Sequence, residues 1–314
     1  MMFETTLVNM ACSLLLRRPE KAELDLLIEK NRENGLGNVV KELEAWRVAE
    51  GVADFTRSQI LDRILTTFTF YQQDMGCLNE LADTDIIIIT GPKSGTTTLS
   101  SSFRQSGRKT FVLHNDGWLR KYMPNGSILK YYDITFVEVF KHLQPNSPLL
   151  ILGFREPVSW YFALAGELRL SMDASLVNRM PSAILDEYPW NALAFEKSVA
   201  IYEEILGCSL VELPFDKNVG YAEHKGKNYT SFTYRLDSLD HFLDHLDYSG
   251  ILSKRQLSRV NNSHDYINLI GNLNYNQDDI SHLYNSKLVK YFYNDYQVKK
   301  YLNSYCCDVE QVLK

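Results

Sequence analysis

Four consecutive isoleucines limit what this chain can fold into. Residues 85–90 read Asp-Ile-Ile-Ile-Ile-Thr, without polar alternation, which predicts a β-strand buried on both faces. Residues 91–95 then form a glycine-containing stretch, and a helical pattern runs from about residue 96 to 105. Strands buried on both faces belong to parallel sheets with helices on either side. The segment therefore predicts a strand, a tight turn and a helix within an α/β domain.

Further strands alternate with helices along the chain. Residues 109–114 and 148–153 are short and apolar, and a helix is predicted between them at 134–142. This alternation predicts βαβ units in an open, mostly parallel sheet flanked by helices. We expect strand 109–113 to lie beside strand 85–89. Later predicted elements are strands at 209–213 and 230–236, helices at 189–206, 237–247, 278–285 and 286–303, and a mobile loop at 214–228.

The first 80 residues differ from the rest in being wholly helical in pattern. Apolar residues recur at helical spacing in 22–28, 39–43 and 60–65, and Pro19 stands where a helix would start. The apolar stretch 7–16 is too short to cross a bilayer, so we expect a buried amphipathic helix there. The predicted organisation is a helical segment at 1–80 followed by an α/β domain at 84–314.

Charge and cysteine content exclude several classes of protein. A net charge of −6 disfavours a nucleic-acid or anionic-membrane surface, so an anionic ligand would need a local basic pocket. The chain has five cysteines without a Cys-x-x-Cys pair, which predicts reduced thiols in the cytoplasm and no zinc site. His241 and His245 are four residues apart, but no third metal ligand follows from their spacing. We expect neither a metal nor a membrane span.

The turn after residues 85–90 has the composition of an anion site. Free backbone N–H groups and the positive end of a helix dipole meet at such a turn. Gly91 and Gly95 permit a close approach of the backbone, while Lys93 adds a cation. The nucleotide loop G-x-x-x-x-G-K-[ST] fits poorly, since Thr96 stands where its lysine should follow the last glycine. A kinase or NTPase is therefore a minor alternative.

The sequence Pro-Lys-Ser-Gly-Thr-Thr at 92–97 resembles the 5′-phosphosulfate loop of sulfotransferases that use 3′-phosphoadenylyl sulfate (PAPS). In that family the lysine contacts the oxygen that bridges phosphate and sulfate, and the residues after it bind the 5′-phosphate. The resemblance gives the lysine role to Lys93. Thr98 stands where members acting on small molecules often carry tryptophan, which glycan-directed members often lack. The expected cofactor loop is Gly91, Pro92, Lys93, Ser94, Gly95, Thr96, Thr97 and Thr98.

A second motif follows the strand predicted at 148–153. Arg155-Glu156-Pro157 resembles the 3′-phosphate motif of the same family, and an arginine fork suits a phosphate because it donates two parallel hydrogen bonds. The family has a serine eight residues after the arginine, where this chain has Ala163. Ser159 lies one helical turn earlier, and we expect it to take that place.

Sulfuryl transfer also needs a base for the acceptor hydroxyl. Ligands of open α/β sheets lie beyond the carboxyl ends of the strands, and His114 ends the strand after the loop helix. It is the first candidate for the base, and Asp116 is the second.

The resemblance covers about residues 84–303 and implies a P-loop sulfotransferase-like fold. It implies a transferase that produces adenosine 3′,5′-bisphosphate (PAP), with a hydroxyl acceptor on a glycan or glycolipid precursor, as in bacterial capsule-synthesis relatives. A non-catalytic module for 3′-phosphoadenosine ligands such as coenzyme A is the alternative from another class. Ala163 supports that alternative, because it alters half of the 3′-phosphate site.

Overall fold

The chain divides into two compact units, which we describe separately. The computed structural model describes residues 2–56, 59, 62, 80–114, 134–143, 145, 148–160, 163, 194–226, 229–253 and 283–304. One unit comprises Met1–Asp83 with Asp116–Asn146, and the other comprises Thr84–Asn115 with Ser147–Lys314. The described residues of the candidate site all lie in the second unit.

Helices and strands within the described ranges have the following bounds. The helices are α1 (Met2–Leu15), α2 (Lys21–Asn34), α3 (Leu36–Ala49), α4 (Thr96–Gln105), α5 (Phe136–Leu143), α6 (Ala194–Leu206), α7 (Leu239–Tyr248), α8 (Lys287–Phe292) and α9 (Asp295–Ser304). The strands are β1 (Ile86–Thr90), β2 (Thr110–Leu113), β3 (Leu149–Phe154), β4 (Tyr221–Lys225) and β5 (Thr230–Arg235). No described helix is both long enough and apolar enough to cross a membrane.

The first unit begins with three helices, as the apolar spacing predicts. Leu7, Met10 and Leu14 of α1 are buried and share one helical face, so this stretch is amphipathic. Helix α2 begins just after Pro19, where the carboxylate of Glu23 accepts a hydrogen bond of 2.7 Å from the backbone N–H of Glu20. The helical pattern at 60–65 lies outside the described residues apart from one position.

The second unit contains a five-stranded sheet in the order β2-β1-β3-β5-β4. Strands β2, β1, β3 and β5 are parallel, and β4 is antiparallel to β5 at one edge. Ile86 pairs with Thr110 and Ile89 pairs with Leu113. The predicted open, mostly parallel α/β sheet is confirmed, including the placement of strand 109–113 beside the isoleucine strand.

Both faces of this sheet are covered by helices. On one face, Ile86 and Ile88 form a buried cluster with Leu99 and Phe103 of α4 and with apolar residues of α7. The alternating residues Ile87 and Ile89 are equally buried on the other face. There the ring of Phe154 lies 4.8 Å from that of Phe195 in α6, measured between centroids. Burial on both faces explains why the isoleucine run has no polar alternation.

The strand predicted at 209–213 is wrong, since Leu210–Glu212 is a 3₁₀ turn. The carboxylate of Glu203 accepts hydrogen bonds from the Ser209 hydroxyl (3.0 Å) and from the Leu210 N–H (2.6 Å). Glu203 therefore holds residues 209 and 210 next to α6, and the backbone of this segment does not enter the sheet.

Two further predictions are corrected by the structure. Residues 214–228, predicted as a mobile loop, contain the edge strand β4, whose polar sequence Tyr-Ala-Glu-His-Lys is typical of exposed sheet edges. The helix predicted at 286–303 is divided into α8 and α9. Asn294 and Gln297 form reciprocal side-chain to backbone hydrogen bonds of 2.9 and 3.0 Å, which start a new helix there. Residues 278–282 of the helix predicted before it lie outside the described residues.

Candidate functional site

The candidate site lies where β1 and β3 end side by side. Thr90 is the register partner of Gly153, and the Thr90 hydroxyl donates a hydrogen bond of 2.9 Å to the Gly153 carbonyl. After β1 the chain continues to β2 on one side, whereas the later strands lie beyond β3 on the other side. Neighbouring strands whose connections diverge in this way leave a crevice at their carboxyl ends, which is where open α/β sheets bind ligands.

The turn between β1 and α4 contains two left-handed residues. Lys93 has φ 63° and Gly95 has φ 81°. Gly95 is required twice over, because a Cβ there would also lie 2.8 Å from the side chains of Leu236 and Leu239. A lysine in the left-handed region is strained by about 1 kcal/mol or more, and such strain concentrates at ligand sites. Left-handed residues in a strand-to-helix turn are typical of backbone nests that bind anions.

The hydroxyl groups of the turn fall into two kinds. Ser94 is fully buried and Thr96 is 7% exposed, and neither side-chain oxygen has a hydrogen-bond partner among the described residues. Thr97 is exposed and Thr98 is half-buried. A buried hydroxyl without a partner costs about 1–3 kcal/mol, so Ser94 and Thr96 fit a ligand that offers acceptor oxygens.

Arg155 and Ser159, predicted from the second motif, lie against the turn. The Arg155 Nη1 donates a hydrogen bond of 2.9 Å to the carbonyl oxygen of Lys93, and its Nε donates one of 3.0 Å to the Ser159 hydroxyl. Ala163, which stands where the family has serine, is buried. The structure therefore brings Arg155 and Lys93 together and places Ser159 next to the arginine.

Glu156 fixes the backbone conformation next to Arg155. Its buried carboxylate accepts hydrogen bonds from the N–H groups of Val158 (3.0 Å) and Ser159 (2.7 Å) and from the hydroxyl of Tyr284. A carboxylate at the start of a helix satisfies N–H groups that have no partner within the helix. Glu156 thereby fixes the bend from β3 into the helical residues 157–160.

His114 lies at the same end of the sheet as the turn. Its half-buried ring holds Nδ1 3.1 Å from the carbonyl oxygen of Thr90, the last residue of β1. Because a carbonyl only accepts, Nδ1 carries the proton, and the lone pair of the neutral ring is on Nε2. The other candidate base, Asp116, lies outside the described residues.

The turn has the geometry of an anion site, and the His114 ring lies at the same end of the sheet. A scan against protein-family models and searches of characterised proteins and of solved structures find no significant match for this chain.

The described residues contain no group of three or more His, Cys, Asp or Glu side chains placed to hold a metal. His245, which is four residues after His241, packs its ring against Tyr221, with the two ring centroids 4.9 Å apart.

Two residues that contact the turn were not predicted from the sequence. Trp160 donates from Nε1 to the Pro92 carbonyl at 2.7 Å, and Tyr234 donates from its hydroxyl to the Ser94 carbonyl at 2.6 Å. The available signal was Gly153, a lone glycine in an apolar strand, which marks close approach of another group. A Cβ on Gly153 would lie 2.6 Å from the Tyr234 hydroxyl oxygen.

Proposed function

We propose that this protein is a sulfotransferase that moves a sulfuryl group from PAPS to an acceptor hydroxyl. The observation that carries the proposal is the 2.9 Å hydrogen bond from Arg155 to the Lys93 carbonyl. It joins the segment that resembles a 5′-phosphosulfate loop to the segment that resembles a 3′-phosphate motif. PAPS carries anionic groups at both of these positions, so an enzyme that uses it needs both segments at one site.

The position of the lysine favours a phosphosulfate over a nucleoside triphosphate. An NTP loop places its lysine directly after the last glycine, where it reaches the β- and γ-phosphates. In this chain that position holds the buried Thr96, and the cation is Lys93, two residues before Gly95. A lysine within the turn suits the bridging oxygen of a shorter anionic group next to the 5′-phosphate.

In the proposed reaction the acceptor oxygen forms a bond to sulfur as the bond between sulfur and the phosphate oxygen breaks. Adenosine 3′,5′-bisphosphate leaves with the electron pair, and Lys93 neutralises the negative charge that develops on its 5′-phosphate. The acceptor proton passes to a base, for which His114 Nε2 is the first candidate and Asp116 the second. A positioned base contributes roughly 10²–10⁴-fold to such a step.

The proposed acceptor is a hydroxyl of a glycan or glycolipid precursor. This part rests on the resemblance of the chain to capsule-synthesis sulfotransferases. A panel of oligosaccharide and small phenolic acceptors, assayed by PAP release from PAPS, separates the two substrate classes.

Ligand-dependent thermal stability tests the donor. In EDTA, PAP at one hundred times its Kd should stabilise the protein by about 2.7 kcal/mol. 5′-AMP, which lacks the 3′-phosphate, should stabilise it less at the same concentration. Stronger stabilisation by ATP that needs Mg²⁺ would contradict the proposal and support a kinase or NTPase. Binding of PAP and coenzyme A without sulfate transfer to any acceptor would support the non-catalytic module.

A further inference from the structure

Three consecutive carbonyl oxygens of the turn are held by side chains from other parts of the unit. Trp160 donates to Pro92, Arg155 donates to Lys93, and Tyr234 donates to Ser94, over 2.7, 2.9 and 2.6 Å. Arg155 and Trp160 come from the segment after β3, and Tyr234 comes from β5. The conformation of this turn is therefore set by long-range side-chain contacts in addition to its own sequence.

Holding the carbonyls also orients the amides. A trans peptide bond places the C=O of one residue and the N–H of the next on opposite sides, and the described chain contains no cis peptide bond. Fixing the carbonyls of residues 92–94 therefore directs the N–H groups of Lys93, Ser94 and Gly95 away from the three donors. Amides that point together into one concavity form an anion-binding nest.

We infer that Trp160 and Tyr234 are positioning residues, which hold the turn in its anion-binding conformation before a ligand arrives. The inference rests on the proposed function, because it concerns the loop that binds the phosphosulfate. It adds two residues that act through the backbone without touching the ligand. Preorganised donors are effective because no binding energy is used to order them.

Trp160 is anchored tightly enough for this role. Its side chain is buried, and its ring meets that of Phe195 edge-on, with centroids 5.1 Å apart. Phe195 also closes over the turn, since a Cβ on Gly91 would lie 3.1 Å from its ring. The indole is thus fixed between α6 and the carbonyl that it binds.

Tyr234 is held with similar rigidity on the other side. Its ring stacks on that of Phe242, with centroids 5.0 Å apart and planes 11° from parallel, and Gly153 leaves the space through which its hydroxyl reaches Ser94. Burial raises the pKa of this tyrosine well above its ordinary value. The hydroxyl therefore keeps its proton and remains a donor.

These contacts maintain the strained conformation of Lys93. A non-glycine residue with φ 63° persists only where its surroundings hold it. Trp160 and Arg155 bind the two peptides that flank Lys93, and Tyr234 binds the next peptide, between Ser94 and Gly95. Removing a donor should let the turn visit relaxed conformations in which the N–H groups of residues 93–95 point in other directions.

Relaxation-dispersion NMR of the ligand-free protein tests this directly. In Trp160→Phe and in Tyr234→Phe we expect the amides of residues 93–95 to show more conformational exchange on the microsecond-to-millisecond timescale than in the wild type, with the amides of β1 and β3 unchanged. Tyr293→Phe is the matched control, because this buried hydroxyl has no hydrogen-bond partner among the described residues. Unchanged loop exchange in both variants, or an equal increase throughout the sheet, would overturn the inference. If Trp160→Phe fails to fold, the nearly isosteric Tyr234→Phe decides.

A second measurement links the turn to the ligand. Both variants should weaken PAP binding about tenfold and raise KM for PAPS, with little change in kcat and none in the KM of the acceptor. Unchanged PAP affinity despite increased loop exchange would also overturn the positioning role. Failure of the wild-type protein to bind PAP would instead remove the proposed function, while the exchange experiment would still decide whether the two side chains order the turn.

Discussion

The side chain of Arg155 is hydrogen-bonded to the backbone of Lys93: the arginine Nη1 donates to the lysine carbonyl oxygen over 2.9 Å. One residue of the turn therefore carries a cationic side chain and presents its carbonyl to a second cation. Since the chain as a whole has a net charge of −6, this pair is a local concentration of positive charge at the end of the sheet. Two neighbouring cations at the carboxyl ends of β1 and β3 suit a ligand with two anionic groups.

Replacing Lys93 by alanine and by glycine separates its charge from its backbone strain. Both variants lose the cation, so both should slow sulfuryl transfer by similar factors and far more than they weaken PAP binding. Lys93→Gly should be more stable than Lys93→Ala by about 1 kcal/mol, because glycine adopts φ 63° without strain. Urea unfolding measures the difference. Equal stability of the two variants would show that the turn relaxes when the lysine is removed.

Arg155→Ala should affect the donor more than the chemical step. Truncating one partner of a hydrogen-bonded charge pair that the bound ligand buries costs about 2–5 kcal/mol, and we expect this loss mainly in PAP affinity. Arg155→Lys is the informative companion. It keeps the charge but loses the fork that donates to both Lys93 and Ser159, so it should recover only part of the affinity.

Titration calorimetry with PAP and with 5′-AMP checks the assignment of Arg155. The affinity for PAP should fall by a larger factor than the affinity for 5′-AMP, which lacks the 3′-phosphate. Equal losses for the two nucleotides would mean that Arg155 acts only by holding the turn.

Much of the fold could be predicted because burial on both faces leaves a plain pattern. Ile86–Ile89 carries no polar residue, and the chain around it alternates short apolar runs with helices. The edge strand β4 was missed because its residues are polar and largely exposed, as is usual at a sheet edge, and therefore lack the apolar pattern of a buried strand. The 3₁₀ turn at Leu210–Glu212 begins where the Leu210 N–H donates to the Glu203 carboxylate, and this side-chain contact overrides the β-propensity of Leu-Val.

The candidate site was predictable only where it is contiguous in sequence. The loop at 92–97 and Arg155 are read from local motifs. Trp160 and Tyr234 are not, because each reaches the loop from a distant part of the chain and looks like an ordinary core aromatic in its own segment. Gly153 becomes informative once β5 is known to lie beside β3.

His114 tests the assignment of the base. His114→Ala should lower turnover by roughly two orders of magnitude or more while PAP affinity stays nearly constant. His114→Asn is the matched variant, since its amide can replace Nδ1–H as the donor to Thr90 but cannot accept the acceptor proton. If the asparagine variant retained wild-type turnover, the histidine would serve only the backbone, and Asp116→Asn would be the next variant to assay. The pH dependence of kcat in the wild type should show an essential group that must be deprotonated.

The histidine in β4 should make the protein sensitive to mild acid. His224 is buried, its Nε2 lies 3.1 Å from the Thr233 hydroxyl, and its Nδ1 has no hydrogen-bond partner among the described residues. Burial lowers its pKa below the ordinary value of 6.5, and the nearby Glu223 opposes this shift only in part. The unfolded chain therefore binds a proton at a higher pH than the folded protein does. The free energy of unfolding is unaffected by this group well above pH 6.5 and falls as the pH drops through that value toward the folded pKa.

Urea unfolding at pH 7.5 and pH 5.5 measures this effect, with His224→Gln as the test variant. Glutamine can keep a hydrogen bond to Thr233 but does not titrate, so the loss of stability between the two pH values should be smaller in the variant than in the wild type. His241→Gln, at an exposed position on α7, is the control and should retain the wild-type loss. An identical pH dependence in all three proteins would mean that His224 accepts its proton in the folded state without penalty. In that case β4 would have to open, or its ring would have to reach water, at no measurable cost.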